Sequence, residues 1–130
     1  MTDDPLGAGR ELSVDADRYS QAFDAITRDP NQLLSVACIG DVVVGTMQLT
    51  FIPGMSRGGA TRGQIEAVRV ASSHRGEGVG EALFAWAIEL CRERGCSIVQ
   101  LTSDRQLEGS HRFYERLGFT ASHVGFKLVL

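Results

Sequence analysis

No Gly-Lys pair occurs anywhere in this 130-residue chain. That excludes a P-loop, whose lysine reaches the outer phosphates of a nucleotide. The glycine-rich stretch around residue 78 also lacks G-x-G-x-x-G. Counted from Gly76 the last position is Glu81, and counted from Gly78 it is Leu83, so a dinucleotide fingerprint fails too. Cysteine is scarce and wrongly spaced for a framework. Cys38, Cys91 and Cys96 are odd in number and form no C-x-x-C, so they read as reduced thiols of a cytoplasmic protein. The same spacing gives no case for a bound metal. Positive charge is also short: the formal net charge is -3, which argues against a nucleic-acid partner. No apolar run approaches the roughly 20 residues of a membrane span, and the acidic start is unlike a signal peptide.

What is present is ordinary for a globular domain. Hydrophobic residues make up 43% and charged residues 22% of the chain. The length suits one domain with its own core, spanning residues 1–130. Residues 1–14 mix Asp, Pro and Gly without periodicity and are expected to form a mobile arm. Asp15 to Arg28 predicts a helix, with Tyr19, Ala22, Phe23 and Ile26 at helical spacing. Leu33 to Ile39, Gly40-Asp41 and Val42 to Ile52 read as strand, tight turn and returning strand. Pro53 to Thr61 reads as a loop and Arg62 to Val70 as the third strand. An amphipathic helix follows over Gly78 to Arg94. Its expected apolar stripe is Val79, Leu83, Trp86, Ala87, Leu90 and Cys91, and Gly95 ends it. Ile98 to Thr102 predicts a buried strand reached by a right-handed parallel crossover. Ser110 to Leu117 predicts a short helix stopped by Gly118. Phe119 to Ser122 and Gly125 to Leu130 predict the last strands.

The strongest chemical signal sits where the third strand feeds the long helix, at Arg75-Gly76-Glu77-Gly78-Val79-Gly80. A glycine-rich turn at a helix N-terminus aims several backbone N–H groups in one direction, and the helix dipole adds positive potential. Glycine lets an anion approach the backbone closely. The turn therefore suits a phosphate or pyrophosphate. Its spacing, R-x-x-G-x-G on Arg75, Gly78 and Gly80, resembles the pyrophosphate motif of the GNAT superfamily of acyl-CoA-dependent N-acetyltransferases. Arg112-Phe113-Tyr114-Glu115-Arg116-Leu117-Gly118-Phe119 resembles the F-Y-x-x-x-G-F signature of the same family. The two lie in the family's order, and the resemblance covers about residues 33 to 130.

The resemblance implies an α/β fold with a mixed, mostly antiparallel central sheet and a parallel crossover at the cofactor. It implies acetyl transfer from acetyl-CoA to a primary amine, on a small molecule or peptide, by direct attack. Arg75, Gly76, Glu77, Gly78, Val79 and Gly80 would hold the pyrophosphate. The backbone of Val68, Arg69 and Val70 would pair with pantetheine, and the Val68 N–H would face the thioester oxygen. Tyr114 would be the general acid for the departing thiolate, and Glu66 a general base for the amine. Strict alternation would put Glu66 on one face with Val68 and Val70, unless a bulge intervenes.

One departure concerns a position where many members carry an asparagine that bonds pantetheine. Here it is Leu107, with Ser103 or Asp104 as substitutes. A strand and helix that usually open the fold also find no match, so the N-terminus is expected to be short. The resulting exposed edge and apolar surface predict a homodimer. A non-catalytic acyl-CoA-binding regulator on the same fold is the alternative.

Overall fold

The computed structural model describes residues 16–130, so the expected N-terminal arm lies outside the described residues. Helix α1 (Ala16–Arg28) leads into a hairpin of β1 (Gln32–Ile39) and β2 (Val42–Ile52). Strand β3 (Arg62–Val70) follows, then a short 3-10 turn at Ser72–His74 and helix α2 (Val79–Glu93). Strand β4 (Ile98–Leu101) and helix α3 (Glu108–Arg116) complete the elements. The sheet order is β1-β2-β3-β4, antiparallel until the β3–β4 pair, which is parallel. The expected mixed sheet and crossover are therefore observed.

Alternation in β2 decides how the sheet packs. Met47, Leu49 and Phe51 are buried, while Thr46, Gln48 and Thr50 point to the other face and are only partly covered. Helix α2 covers the apolar face with Leu83, Phe84, Ala87 and Cys91. Each fully buried Leu, Ile, Phe or Met side chain here contributes about 1.5–3 kcal/mol. The expected apolar stripe thus shifts by part of a turn: Phe84 is in the core and Trp86 is 44% exposed. Helix and sheet approach closely at Gly63, where a Cβ would collide with Cys91 Sγ. Burial, with the adjoining Cys96 thiol, pushes the Cys91 thiol up to about 11, so it stays protonated.

The polar face is tied together by amides. Gln48 Nε2 donates to Gln32 Oε1 at 2.9 Å, and Gln100 Nε2 donates to Gln64 Oε1 at 2.6 Å. Helix α1 touches β1 but buries no residue, and Tyr19 and Phe23 of its apolar stripe are exposed.

Helix α3 ends as the glycine dictates. Gly118 takes φ 98°, which lets the Phe119 N–H reach Tyr114 O at 3.0 Å and the Gly118 N–H reach Glu115 O at 3.0 Å. This Schellman closure returns Phe119 to the core beside Phe84. The F-Y-x-x-x-G-F pattern is thus a helix stop that folds three aromatics onto α2.

The expected strands at Phe119 to Ser122 and Gly125 to Leu130 are not formed. Val124, Phe126, Leu128, Val129 and Leu130 are exposed instead. β-branched and aromatic content says what fits a sheet, but a strand also needs a neighbour to complete its ladder.

Candidate active site

The parallel ladder between β3 and β4 is short. It pairs Arg62 with Ile98 through Ile65 with Leu101 and then stops. Beyond it, Glu66 to Val70 pair with β2 alone among the described residues. The two strands part, and a cleft of about 540 Å³ opens between them. Its walls include Glu66, Ala67, Val68, Arg69 and Val70 from β3, Arg75 from the glycine turn, and Tyr114 from α3. Thr102, Ser103 and Asp104 line it from the loop after β4. A volume of this size is typical of a small-molecule site.

Strand β3 carries a bulge at the cleft. Gln48 pairs with Glu66 and Thr46 with Arg69, so Ala67 and Val68 together face the single Met47. Ala67 absorbs the extra residue at φ 51°, a left-handed conformation uncommon for alanine. The bulge corrects the strict alternation. Glu66 and Arg69 oppose residues two apart on β2 and therefore share a face, while Val68 joins Met47 at the core. Glu66 is exposed to the cleft rather than grouped with Val68 and Val70. Arg69 is anchored by Nη1 donating to Val68 O at 2.9 Å.

Tyr114 is half-buried, its ring 5.6 Å from both Phe84 and Phe113 and 6.3 Å from Phe119. Burial pushes its phenol above the ordinary value, and the Arg69 charge partly offsets this. The phenol therefore keeps its proton through neutral pH. Ser103 contributes a buried hydroxyl oxygen with no hydrogen-bond partner among the described residues, as suits a group awaiting a polar ligand. Leu107, at the family's asparagine position, also lines the cleft.

The loop around Ser103 is held from within. Asp104 Oδ1 accepts from Gln106 N at 2.9 Å, and Asp104 O lies 2.8 Å from His111 Nε2. His111 thus braces the loop.

Gly78 is the N-cap of α2, at φ 83° and ψ 9°, and no side chain caps the helix. The first-turn amides are left to a ligand or to water. Of this turn only Arg75 lines the cleft itself. Gly76, Glu77, Gly78, Val79 and Gly80 run on from it into the helix, where a Cβ at Gly80 would lie 3.4 Å from the Phe113 ring.

The sequence reading missed Lys127, which lines the same cleft from the C-terminal segment. One signal could have found it, since it is the only lysine in the chain. Among the described residues no group of His, Cys, Asp or Glu is arranged to hold a metal ion. No helix there is long and apolar enough to cross a membrane.

The splayed sheet, the glycine turn and the aromatic-anchored tyrosine border one cleft of an α/β fold. The chain belongs to the acetyltransferase (GNAT) family, whose model matches residues 5–119. It is similar to a transcriptional regulator from Bacillus halodurans C-125, whose crystal structure superposes with a TM-score of 0.93 at 45% identity. That match covers 99% of this chain and 87% of the other. Glucosamine 6-phosphate N-acetyltransferase of Trypanosoma brucei brucei is 42% identical over 88 residues, 68% of this chain and 58% of the relative. This chain therefore spans little more than half the length of that relative. Aminoalkylphosphonate N-acetyltransferase of Salmonella typhimurium strain LT2 is 30% identical over 117 residues, 90% of this chain and 75% of the relative.

Proposed function

We propose that this protein transfers the acetyl group of acetyl-CoA to a primary amine on a small molecule. The observation that carries the reading is the open edge of β3 from Glu66 to Val70, set between the glycine turn and Tyr114. Pantetheine would lie along that edge as an added strand, with the Val68 N–H toward the thioester oxygen. Ser103 would hydrogen-bond a pantetheine amide in place of the family's asparagine, which satisfies its buried hydroxyl. Arg75 and the amides from Gly76 to Gly80 would hold the pyrophosphate.

The chemistry balances with two side chains. The neutral amine nitrogen attacks the thioester carbon, and Glu66, directly or through water, takes the proton that the nitrogen sheds. The carbon–sulfur bond breaks, and the Tyr114 phenol protonates the departing sulfur. The products are the N-acetyl amine and CoA thiol, and solvent restores both side chains. Two relatives carry names that specify amines bearing a phosphorus oxyanion, an aminosugar phosphate and an aminoalkylphosphonate. The same class of acceptor is our reading for this chain. Reduced thiols at Cys38, Cys91 and Cys96 suit a cytoplasmic setting.

The name of the Bacillus halodurans relative favours a second reading, a regulator that binds acyl-CoA without turning it over. Free-thiol release from acetyl-CoA, measured across a panel of amines, decides between them. Amine-dependent release is the expected result, and its absence with every amine tested leaves the regulator.

We infer in addition that the chain forms a homodimer. Tyr19 and Phe23 on α1 and Leu34 and Val36 on the edge strand β1 leave apolar surface uncovered by the described residues. Light scattering at micromolar concentration should report twice the 14.1 kDa chain mass. A stable monomer at high concentration would exclude the dimer.

A further inference from the structure

Two segments that border the cleft are tied together by one imidazole. The loop after β4 carries Ser103, whose buried hydroxyl has no hydrogen-bond partner among the described residues. Helix α3 carries Tyr114 and, one turn earlier, the half-buried His111. His111 Nε2 lies 2.8 Å from Asp104 O. A carbonyl oxygen can only accept, so Nε2 bears the proton and donates. The same carbonyl takes the Leu107 N–H at 3.0 Å, and Asp104 Oδ1 takes the Gln106 N–H at 2.9 Å. Those two bonds stay within residues 104–107. The His111 bond reaches the turn from the body of the helix.

A serine hydroxyl hangs on a single methylene and reaches less far than an asparagine amide. To take over an amide's contact with pantetheine, Ser103 needs a closely set backbone, because a hydrogen bond weakens outside about 2.5–3.2 Å. Residues 102–107 form neither helix nor strand and cannot supply that setting by a ladder of their own. Helix α3 can. Phe113 and Tyr114 pack on Phe84 with ring centroids 5.6 Å apart, which fixes the helix to the core. The imidazole transmits that fixed position to the peptide next to Ser103.

Resting on the acetyl-CoA reading, we propose that His111 is a positioning residue for the acyl donor, holding the Ser103 hydroxyl against pantetheine through the Asp104 carbonyl. The role needs an N–H at one point in space and no titrating base. Glutamine carries an N–H at similar reach, and leucine fills similar space without one. Both are better helix formers than histidine, so neither substitution works against α3.

Calorimetry with CoA tests the bracket without turnover. His111→Leu should bind CoA about 10-fold more weakly than the wild type, and His111→Gln should recover most of that loss. Ser103→Ala should lose about 10-fold as well. The double variant should bind within about 2-fold of Ser103→Ala alone, because both changes remove one contact. In steady state the acetyl-CoA KM should rise with the CoA Kd. Tyr114 keeps its own packing, so kcat should change by less than about 3-fold. Circular dichroism checks that each variant is folded, with His111→Ala as a second variant lacking the donor. Wild-type affinity in either folded donor-free variant, additive losses in the double variant, or no recovery in His111→Gln overturns the bracket and leaves the acetyl-CoA reading intact. If neither donor-free variant folds, His111 is a support of the fold and the proposal fails. A wild type that binds no CoA overturns the acetyl-CoA reading and the bracket with it.

Discussion

Replacing Gly78 with aspartate is expected to abolish CoA binding while leaving the protein folded. Gly78 sits at φ 83° as the N-cap of α2, with no side-chain cap hydrogen bond. Aspartate tolerates left-handed backbone better than most residues and is itself a favoured N-cap. Its carboxylate would bond to the very amides that the glycine leaves open. A ligand pyrophosphate would meet both bulk and like charge there, beside Glu81, whose Oε2 already lies 3.6 Å from the Cβ position. We expect at least about a 100-fold loss of CoA affinity by calorimetry, equivalent to about 2.8 kcal/mol. The far-ultraviolet spectrum should be preserved. An unchanged affinity would move the pyrophosphate away from this turn altogether.

Tyr114→Phe should act on turnover and spare binding. The phenylalanine ring keeps the contacts with Phe84, Phe113 and Phe119, so the stability cost is small. What disappears is the proton donor. A general acid of this kind is worth about 10²-fold or more, so kcat should fall by that factor with the acetyl-CoA KM nearly intact. The pH dependence follows from the burial of the phenol, which raises its pKa. The acid works while protonated, so the wild type should lose activity only as pH climbs through that raised value. The variant should lack this alkaline fall. A variant that turns over like the parent shows that water or another group supplies the proton.

The strands were legible wherever alternation met a turn signal. Arg62 to Val70 and the β1–β2 hairpin follow from β-branched runs broken by Gly40-Asp41 and by the loop of Pro53 to Thr61. Both helix stops were legible because Gly95 and Gly118 occupy positions that only a left-handed residue fills comfortably. The exchange of Phe84 for Trp86 was not. Both lie near the edge of the same stripe, and the aromatic cluster with Phe113, Tyr114 and Phe119 selects Phe84 from far along the chain. The last twelve residues misled for a related reason. Their alternation is real, but a ladder is a property of two strands, and the composition of one cannot supply the other.

In the site, much of the cleft lining was legible and the phase of β3 was not. Arg75 to Gly80 and Tyr114 are marked by spacing, and Glu66, Val68, Arg69, Val70 and Ser103 line the cleft alongside Arg75 and Tyr114. Ala67 looks like any small strand residue, so nothing in the sequence announces its φ of 51°. Lys127 depends on a segment with no regular structure to carry it into the cleft.

The extra residue at Ala67 gives β3 two histories that can diverge. Upstream of it, Gly63 and Ile65 are bound to the core, and a change at Gly63 demands a matching change at Cys91. Downstream, Arg69 answers to the cleft. A substitution at Arg69 can therefore alter the cleft wall without renegotiating the packing beneath α2. A chain that lost the bulge would turn that side chain toward the core and forfeit the freedom. The insertion acts as a joint between inheritance and adaptation within one strand.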